Sequence, residues 1–264
     1  MDPGKGAPSQ LRFRKSVTSL GPDDVAALQA GVTKMVAVSD DRGYEHWAGI
    51  HGLPLPMWCH HGDLFFLPWH RAYLYQMEQF LLDQEPAASL PWWDWTDQAG
   101  IPAVYGDTTL ADGTANPLAT APITGIPDAQ FTQDGIPKST VTFRRPKAPL
   151  GLPSAQLVEQ ILGLSDFADF SNQLEGQVHN RVHVWVQGTM GMVPLAAYDP
   201  VFWAHHTMID RLWALWQLRH PGAGPDPSML SAALPPFSMT VGQTLDITAL
   251  GYQYAASVSG TAPN

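Results

Sequence analysis

The chain is expected to fold as a mainly α protein, a central four-helix bundle with long loops and a few short strands near its ends. Three observations predict this. Apolar residues recur at helical spacing in several separated stretches. Six histidines form two triplets, His51/His61/His70 and His179/His183/His206, and both triplets fall in matching helical contexts. The 264 residues, 45% of them apolar and with ten Trp and ten Phe, suffice for one large core and read as a single domain over 1–264.

The elements follow in order. Residues 22–38 open with Pro22 and two Asp, as a helix start should, and Val25, Leu28, Val32, Met35 and Val36 keep helical spacing. A second helix is expected after the Gly62-Asp63 turn, over 64–82. Residues 96–150, rich in Pro, Gly, Thr and Ala, show no sustained period and read as a long surface excursion. Further helices are expected over 154–162, 172–186 and 200–219, the last stopping before His220-Pro221-Gly222. The tail segments PPFSMTVGQTLDI and GYQYAASVSG alternate and carry β-branched and aromatic residues, so one or two short strands are expected there.

Composition excludes several partners. Net charge is −10, from 14 basic and 24 acidic residues, with no run of Lys or Arg. Nucleic acid and anionic membrane are poor partners for such a surface. No apolar stretch approaches the length of a membrane span, and the N-terminal MDPGKGAPSQ lacks the apolar core of a signal peptide. The single cysteine, Cys59, allows no internal disulfide. A cytoplasmic location is expected by default, with export beside a signal-bearing partner as the other route.

The histidines carry the chemistry. His179 and His183 stand at i and i+4, so both rings sit on one helix face. The next helix offers His206, and bundle cores often build metal sites from facing helices. In the first half His70 lies inside a helix, His61 at or just before its start, and His51 in the preceding segment. A lone core histidine is more often structural than a ligand, but two triplets in one chain make coincidence a poor account. Imidazole sets lacking thiolates and bridging carboxylates suit copper, zinc, iron or nickel.

His61-Gly-Asp-Leu-Phe-Phe-Leu-Pro-Trp-His70-Arg71, followed by Leu74 and Glu78, resembles the first copper signature of the tyrosinase family. Asp199-Pro-Val-Phe-Trp-Ala-His-His206-Thr-Met-Ile-Asp210 resembles the second, and His179-Asn-Arg-Val-His183-Val-Trp is similar to the segment supplying its other ligands. The resemblance runs from about Arg12 to Tyr254. It implies two copper ions in a binuclear site with O2 as co-substrate, ortho-hydroxylation of phenols and oxidation of o-diphenols to o-quinones, and small phenolic substrates. Narrower alternatives are a catechol or o-aminophenol oxidase, and a hemocyanin-like oxygen-binding module. It also implies a short form without a C-terminal lid domain, either open from synthesis or loaded by a separate copper-delivery chaperone.

Residue by residue, the resemblance assigns His51, His61 and His70 to one copper and His179, His183 and His206 to the other. His205 is then an outer or packing residue. Cys59 matches a pattern in which such a cysteine forms a thioether to the ring of His61. Its plain reading is a small buried apolar residue. Asp210, one turn from His206, is a candidate acceptor for that ring, or else the partner of Arg181 or Arg211. Glu175 and Asn180 match positions that hold a water able to take a phenol proton. The plain reading is a helix-start glutamate favoured by the macrodipole and an ordinary asparagine. Val184, Met192 and Val193 are expected to make the mouth apolar. Asp94 and Glu78 read as structural. Tyr252-Gln-Tyr254 resembles the tyrosine motif that closes this domain, with Arg12 or Arg14 as its cation–π partner.

Overall fold

The structure, a computed structural model, describes residues 11–97, 100–133, 135–147 and 151–255. Helices dominate. They are α1 (Pro22–Val36), α2 (Tyr44–His51), α3 (Phe66–Gln84), α4 (Ala103–Gly106), α5 (Asp128–Gln133), α6 (Ala155–Leu162), α7 (Phe167–Gln173), α8 (Asn180–Val186) and α9 (Val201–Arg219). The strands β1 (Arg12–Arg14) and β2 (Tyr252–Tyr254) pair in parallel, with Arg12 opposite Tyr252 and Arg14 opposite Tyr254.

The strongest sequence signals formed as expected. Helix α1 begins at Pro22, and Asp24 accepts the Gly21 N–H at 2.9 Å, satisfying a donor that a helix start leaves free. Helices α3 and α9 pack against each other and bury most of their length. Trp69, Tyr73, Phe202 and Trp213 lie among fully buried side chains along them. No described helix is long and apolar enough to cross a membrane.

Four expectations need correction. The helix expected over 172–186 starts earlier, at Phe167, and contains a π turn at Leu174–His179. The extra residue of a π turn shifts the side chains that follow, and such bulges recur at functional sites. His51 is the last residue of α2, a helix whose eight residues are too few to show a period. The segment 96–150 is not a free surface loop. Tyr105, Leu118, Ile123 and Phe131 are buried in the core, and Arg144 ties the segment down through Asp199, Tyr105 O and Leu118 O.

The fourth correction concerns the tail. PPFSMTVGQTLDI forms no strand: an isolated bridge joins Ala233 to Thr240, and a 3-10 turn follows at Val241–Thr244. Its apolar residues Phe237, Met239 and Val241 pack into the core instead. Only Tyr252–Tyr254 of the second tail segment is a strand, and residues 256–260 of that expectation lie outside the described residues.

Candidate metal centre

The helices bring the two histidine triplets face to face. Ring nitrogens of His51, His61 and His70 lie within 4.8 Å of one another, as do those of His179, His183, His205 and His206. Across the gap, His70 stacks on His206 with centroids 4.6 Å apart, and His61 on His179 at 5.7 Å.

The second set is the tighter. Nε2 of His179, His183 and His206 form a triangle with sides of 3.0, 3.2 and 3.3 Å. Tetrahedral ligands at about 2.0–2.1 Å from one ion would stand roughly 3.3–3.4 Å apart. The other ring edges decide where the protons sit. His183 Nδ1 donates to Met190 O at 2.7 Å, and His179 Nδ1 donates to Asn180 Oδ1 at 2.9 Å. Both Nε2 atoms therefore present lone pairs to the same point, which hydrogen bonding between them cannot satisfy and a cation can.

In the first set, His51 Nδ1 donates to Val193 O at 3.2 Å and His70 Nδ1 to Phe66 O at 2.8 Å. Their Nε2 atoms are buried and take no hydrogen bond from the described residues. His61 comes from the turn before α3, where Gly62 adopts φ +70°, a conformation that suits glycine. Burial keeps every one of these rings neutral. It holds His61 and His183 down to about 4 and His51, His70, His179 and His206 well below their ordinary value. Neutral imidazoles are the form that binds metal. Donor set, orientation and spacing fit a binuclear site.

Geometry distinguishes the adjacent His205 and His206, although a ring nitrogen of each lies in the same cluster. His205 Nδ1 accepts the indole N–H of Trp95 at 3.1 Å, whereas His206 Nε2 joins the triangle. Asp210 needs correction: it does not serve His206, nor does it meet Arg181 or Arg211. It sits between Arg14 and Arg71 and also accepts from the hydroxyls of Tyr252 and Tyr254. His206 Nδ1 is left without a hydrogen bond among the described residues. Arg181 instead donates to Gly151 O, and Arg211 lies over the Trp92 ring at 4.0 Å. Arg14 is the cation–π partner of Tyr252, at 3.7 Å, and pairs with Glu78.

Glu175 is buried, and its Oε1 accepts the Gly62 N–H at 2.8 Å, next to His61. Burial raises its pKa. Asn180 is exposed and fixes the His179 tautomer. Cys59 is a free, partly buried thiol whose pKa burial pushes up to about 12. Val184 and Val193 are 58% and 46% exposed, while Met192 is half-buried against the core. Sequence reasoning missed the carbonyls of Met190 and Val193 and the Trp95 donor. Backbone acceptors leave no residue signature, but the Trp95 indole was open to a search for polar partners of His205.

Comparison with known proteins agrees with this geometry. Residues 41–219 match the family described as the common central domain of tyrosinase. A tyrosinase of Streptomyces galbus is 35% identical over 210 residues, covering 71% of each chain. A hemocyanin of Enteroctopus dofleini (A-type, units Ode to Odg) is 33% identical over 223 residues, which is 78% of this chain but 17% of that protein. Among solved structures, a functional unit of octopus hemocyanin superposes with a TM-score of 0.79 at 31% identity, covering 93% of this chain and 68% of that one. A mushroom tyrosinase gives a TM-score of 0.74 at 21% identity, covering 94% and 90%, a likeness of fold. The chain belongs to the tyrosinase family of binuclear copper proteins, whose common central domain it carries over residues 41–219.

Proposed function

We propose that the chain is a copper oxidase that uses O2 to hydroxylate monophenols at the ortho position and to oxidise o-diphenols to o-quinones. His51, His61 and His70 would hold one copper and His179, His183 and His206 the other. The observation that carries this reading is the convergence of neutral imidazoles from both sets on facing points, with an acceptor at Nδ1 fixing the tautomer of His51, His70, His179 and His183. Bound copper supplies the electron transfer and the activation of O2. The protein supplies the rest. Carbonyls of Phe66, Met190 and Val193 orient the rings, and the Val184–Val193 rim offers an apolar face to an aromatic ring.

Glu175 and Asn180 are proposed to hold the water that takes the phenol proton. Glu175 keeps Oε2 clear of hydrogen bonds among the described residues, and its raised pKa brings it toward the range useful for a general base. We also propose the Cys59–His61 thioether, which would fix the His61 ring without making sulfur a ligand. The likeness to octopus hemocyanin favours one second reading, a unit that binds O2 without turnover.

Reconstitution with Cu(II) and addition of L-tyrosine, L-DOPA or 2-aminophenol in air separates the readings. Coloured quinone from both phenol classes is expected. Oxidation of the diphenol or aminophenol alone would narrow the activity, and reversible O2 uptake without turnover, read after chemical reduction of the copper to Cu(I), would favour the carrier. Uptake of a single metal equivalent would overturn the binuclear assignment.

A further inference from the structure

Trp95 and His205 form a buried pair that the proposed chemistry does not use. The indole Nε1–H donates to His205 Nδ1 at 3.1 Å, and both side chains are shielded from solvent. His205 is not remote from the second trio. Its ring stacks on His179 with centroids 5.3 Å apart and meets the His183 ring edge-on at 4.9 Å. One of its ring nitrogens lies within 4.8 Å of those offered by His179, His183 and His206. A fourth imidazole thus stands within reach of a three-imidazole site. Four protein ligands would close a tetrahedral shell, whereas a reactive metal keeps a position open.

We propose that Trp95 is a positioning residue that holds His205 off the second metal, so that three imidazoles bind there and one position stays free. The inference rests on the metal reading of the second trio. One hydrogen bond disables both ring nitrogens. Nδ1 commits its lone pair to the indole, and in a neutral ring the proton must then sit on Nε2. An N–H cannot bind a cation. The His179 backbone also lies close enough to accept from the His205 ring, and with Nδ1 taken by the Trp95 indole that contact favours the same Nε2–H tautomer. The donor is held in register with α9, because Trp93 N–H donates to Ala204 O at 3.0 Å, one residue before His205.

The test is a count of nitrogen donors by X-ray absorption on zinc-loaded protein, with metal content measured alongside. Wild type should show about three imidazoles per ion, and Trp95→Phe about three and a half averaged over both sites, since only the second gains a ligand. The double variant Trp95→Phe/His205→Asn should return to the wild-type count, which a merely structural role for Trp95 would not produce. An unchanged count in Trp95→Phe, or a double variant no different from the single one, overturns the proposal. Should Trp95→Phe fail to fold, nitrogen-15 spectra of metal-free wild type decide: His205 is expected unprotonated at Nδ1, and a proton there overturns it. Wild type that binds fewer than two zinc ions would instead sink the binuclear reading, leaving the tautomer measurement to judge Trp95.

Discussion

Glu175 accepts the backbone N–H of Gly62 at 2.8 Å, so the carboxylate proposed to hold a water also tethers the turn that delivers His61. Two roles on one side chain can be separated by choice of substitution. Glu175→Gln keeps a carbonyl oxygen for Gly62 and removes the charge. It should lower monophenol turnover by about 10²–10⁴-fold, the range for a general base, and diphenol turnover far less. Glu175→Ala also strands the Gly62 donor, at roughly 1–3 kcal/mol, and should loosen the first metal. Asn180→Leu should share the monophenol bias and also weaken the second metal by freeing the His179 tautomer. Steady-state rates on L-tyrosine and L-DOPA check this, and equal losses on both substrates would count against the water-holding role.

One strap serves both metal positions. Met190 O accepts from His183 and Val193 O from His51, three residues apart in the chain. The strap is clamped where Gly188 crosses Phe143: a Cβ on Gly188 would lie 2.1 Å from Phe143 O, and φ there is +57°. Thr189 completes the clamp, donating its N–H to Phe143 O and accepting the Phe143 N–H at its hydroxyl. Gly188→Ala must move the strap and so disturb a ligand of each set. Chelator competition should show both metals weakened together, by about 10–100-fold as for other outer partners of metal-bound histidine. Loss confined to one metal would show that the strap does not couple them.

The same contrast explains what the sequence reveals. Helix α9 and the start of α3 are legible because the Asp-bearing turns before them, the apolar period and the histidine spacing agree within single segments. The His179/His183 pair is legible for the same reason. The π turn at Leu174–His179 is not, since an added residue leaves no mark in a pattern read at one period. Asp210 shows a different limit. Its place one turn from His206 suggested a local partner, but the cations it meets, Arg14 and Arg71, lie 196 and 139 residues away in the chain. Local spacing cannot rank such distant partners. PPFSMTVGQTLDI failed because alternation marks any chain that buries every second residue, strand or not.

Asp210 therefore supports a test of stability distinct from metal binding. Its carboxylate is held below the ordinary range by Arg71 and Arg14 despite full burial, and Tyr252 donates to it at 2.7 Å. This cluster joins β1, β2, α3 and α9, so it links both ends of the described chain to the metal-bearing helices. Asp210→Ala leaves the buried Arg71 with carbonyl acceptors only and the buried Arg14 with Glu78 as its single carboxylate partner. Breaking such a pair should cost roughly 3–5 kcal/mol, seen as a lower denaturation midpoint. The fraction that stays folded should still bind both metals. Selective loss of the second metal at unchanged stability would restore a direct link to His206.

Sulfur offers an independent measurement at the first site. Burial keeps Cys59 protonated at neutral pH, so the thiol of metal-free protein should react slowly with alkylating reagents. Joining Sγ to a carbon of the His61 ring removes one hydrogen from each partner, with O2 as oxidant and copper as the carrier of electrons. Protein matured with copper in air should therefore weigh two hydrogens less than its sequence, and unfolding should expose no thiol to label. Cys59→Ser should keep the sequence mass and bind copper at the first site less firmly. A full-mass, fully alkylatable wild type would remove the thioether from the proposal and leave the ligand assignment standing.

Acid should unfold the metal-free protein through its histidines before its carboxylates. In the unfolded chain each imidazole titrates near 6.5, whereas burial lowers His61 and His183 to about 4 in the folded state. The unfolded state thus takes up protons first as pH falls, and stability declines in that direction. The contribution is whole above 6.5 and is lost progressively as pH falls through about 4. Asp24, held by Lys15 below its ordinary 3.8, gives way only at lower pH and does not blur the window. Urea titrations of metal-free protein at about pH 7.5 and about pH 5 should therefore show a clear drop in midpoint. Saturating metal should move the decline to lower pH, because ions and protons compete for the same lone pairs. A midpoint that holds or rises on acidification, with and without metal, would mean that these rings are not buried in their neutral form.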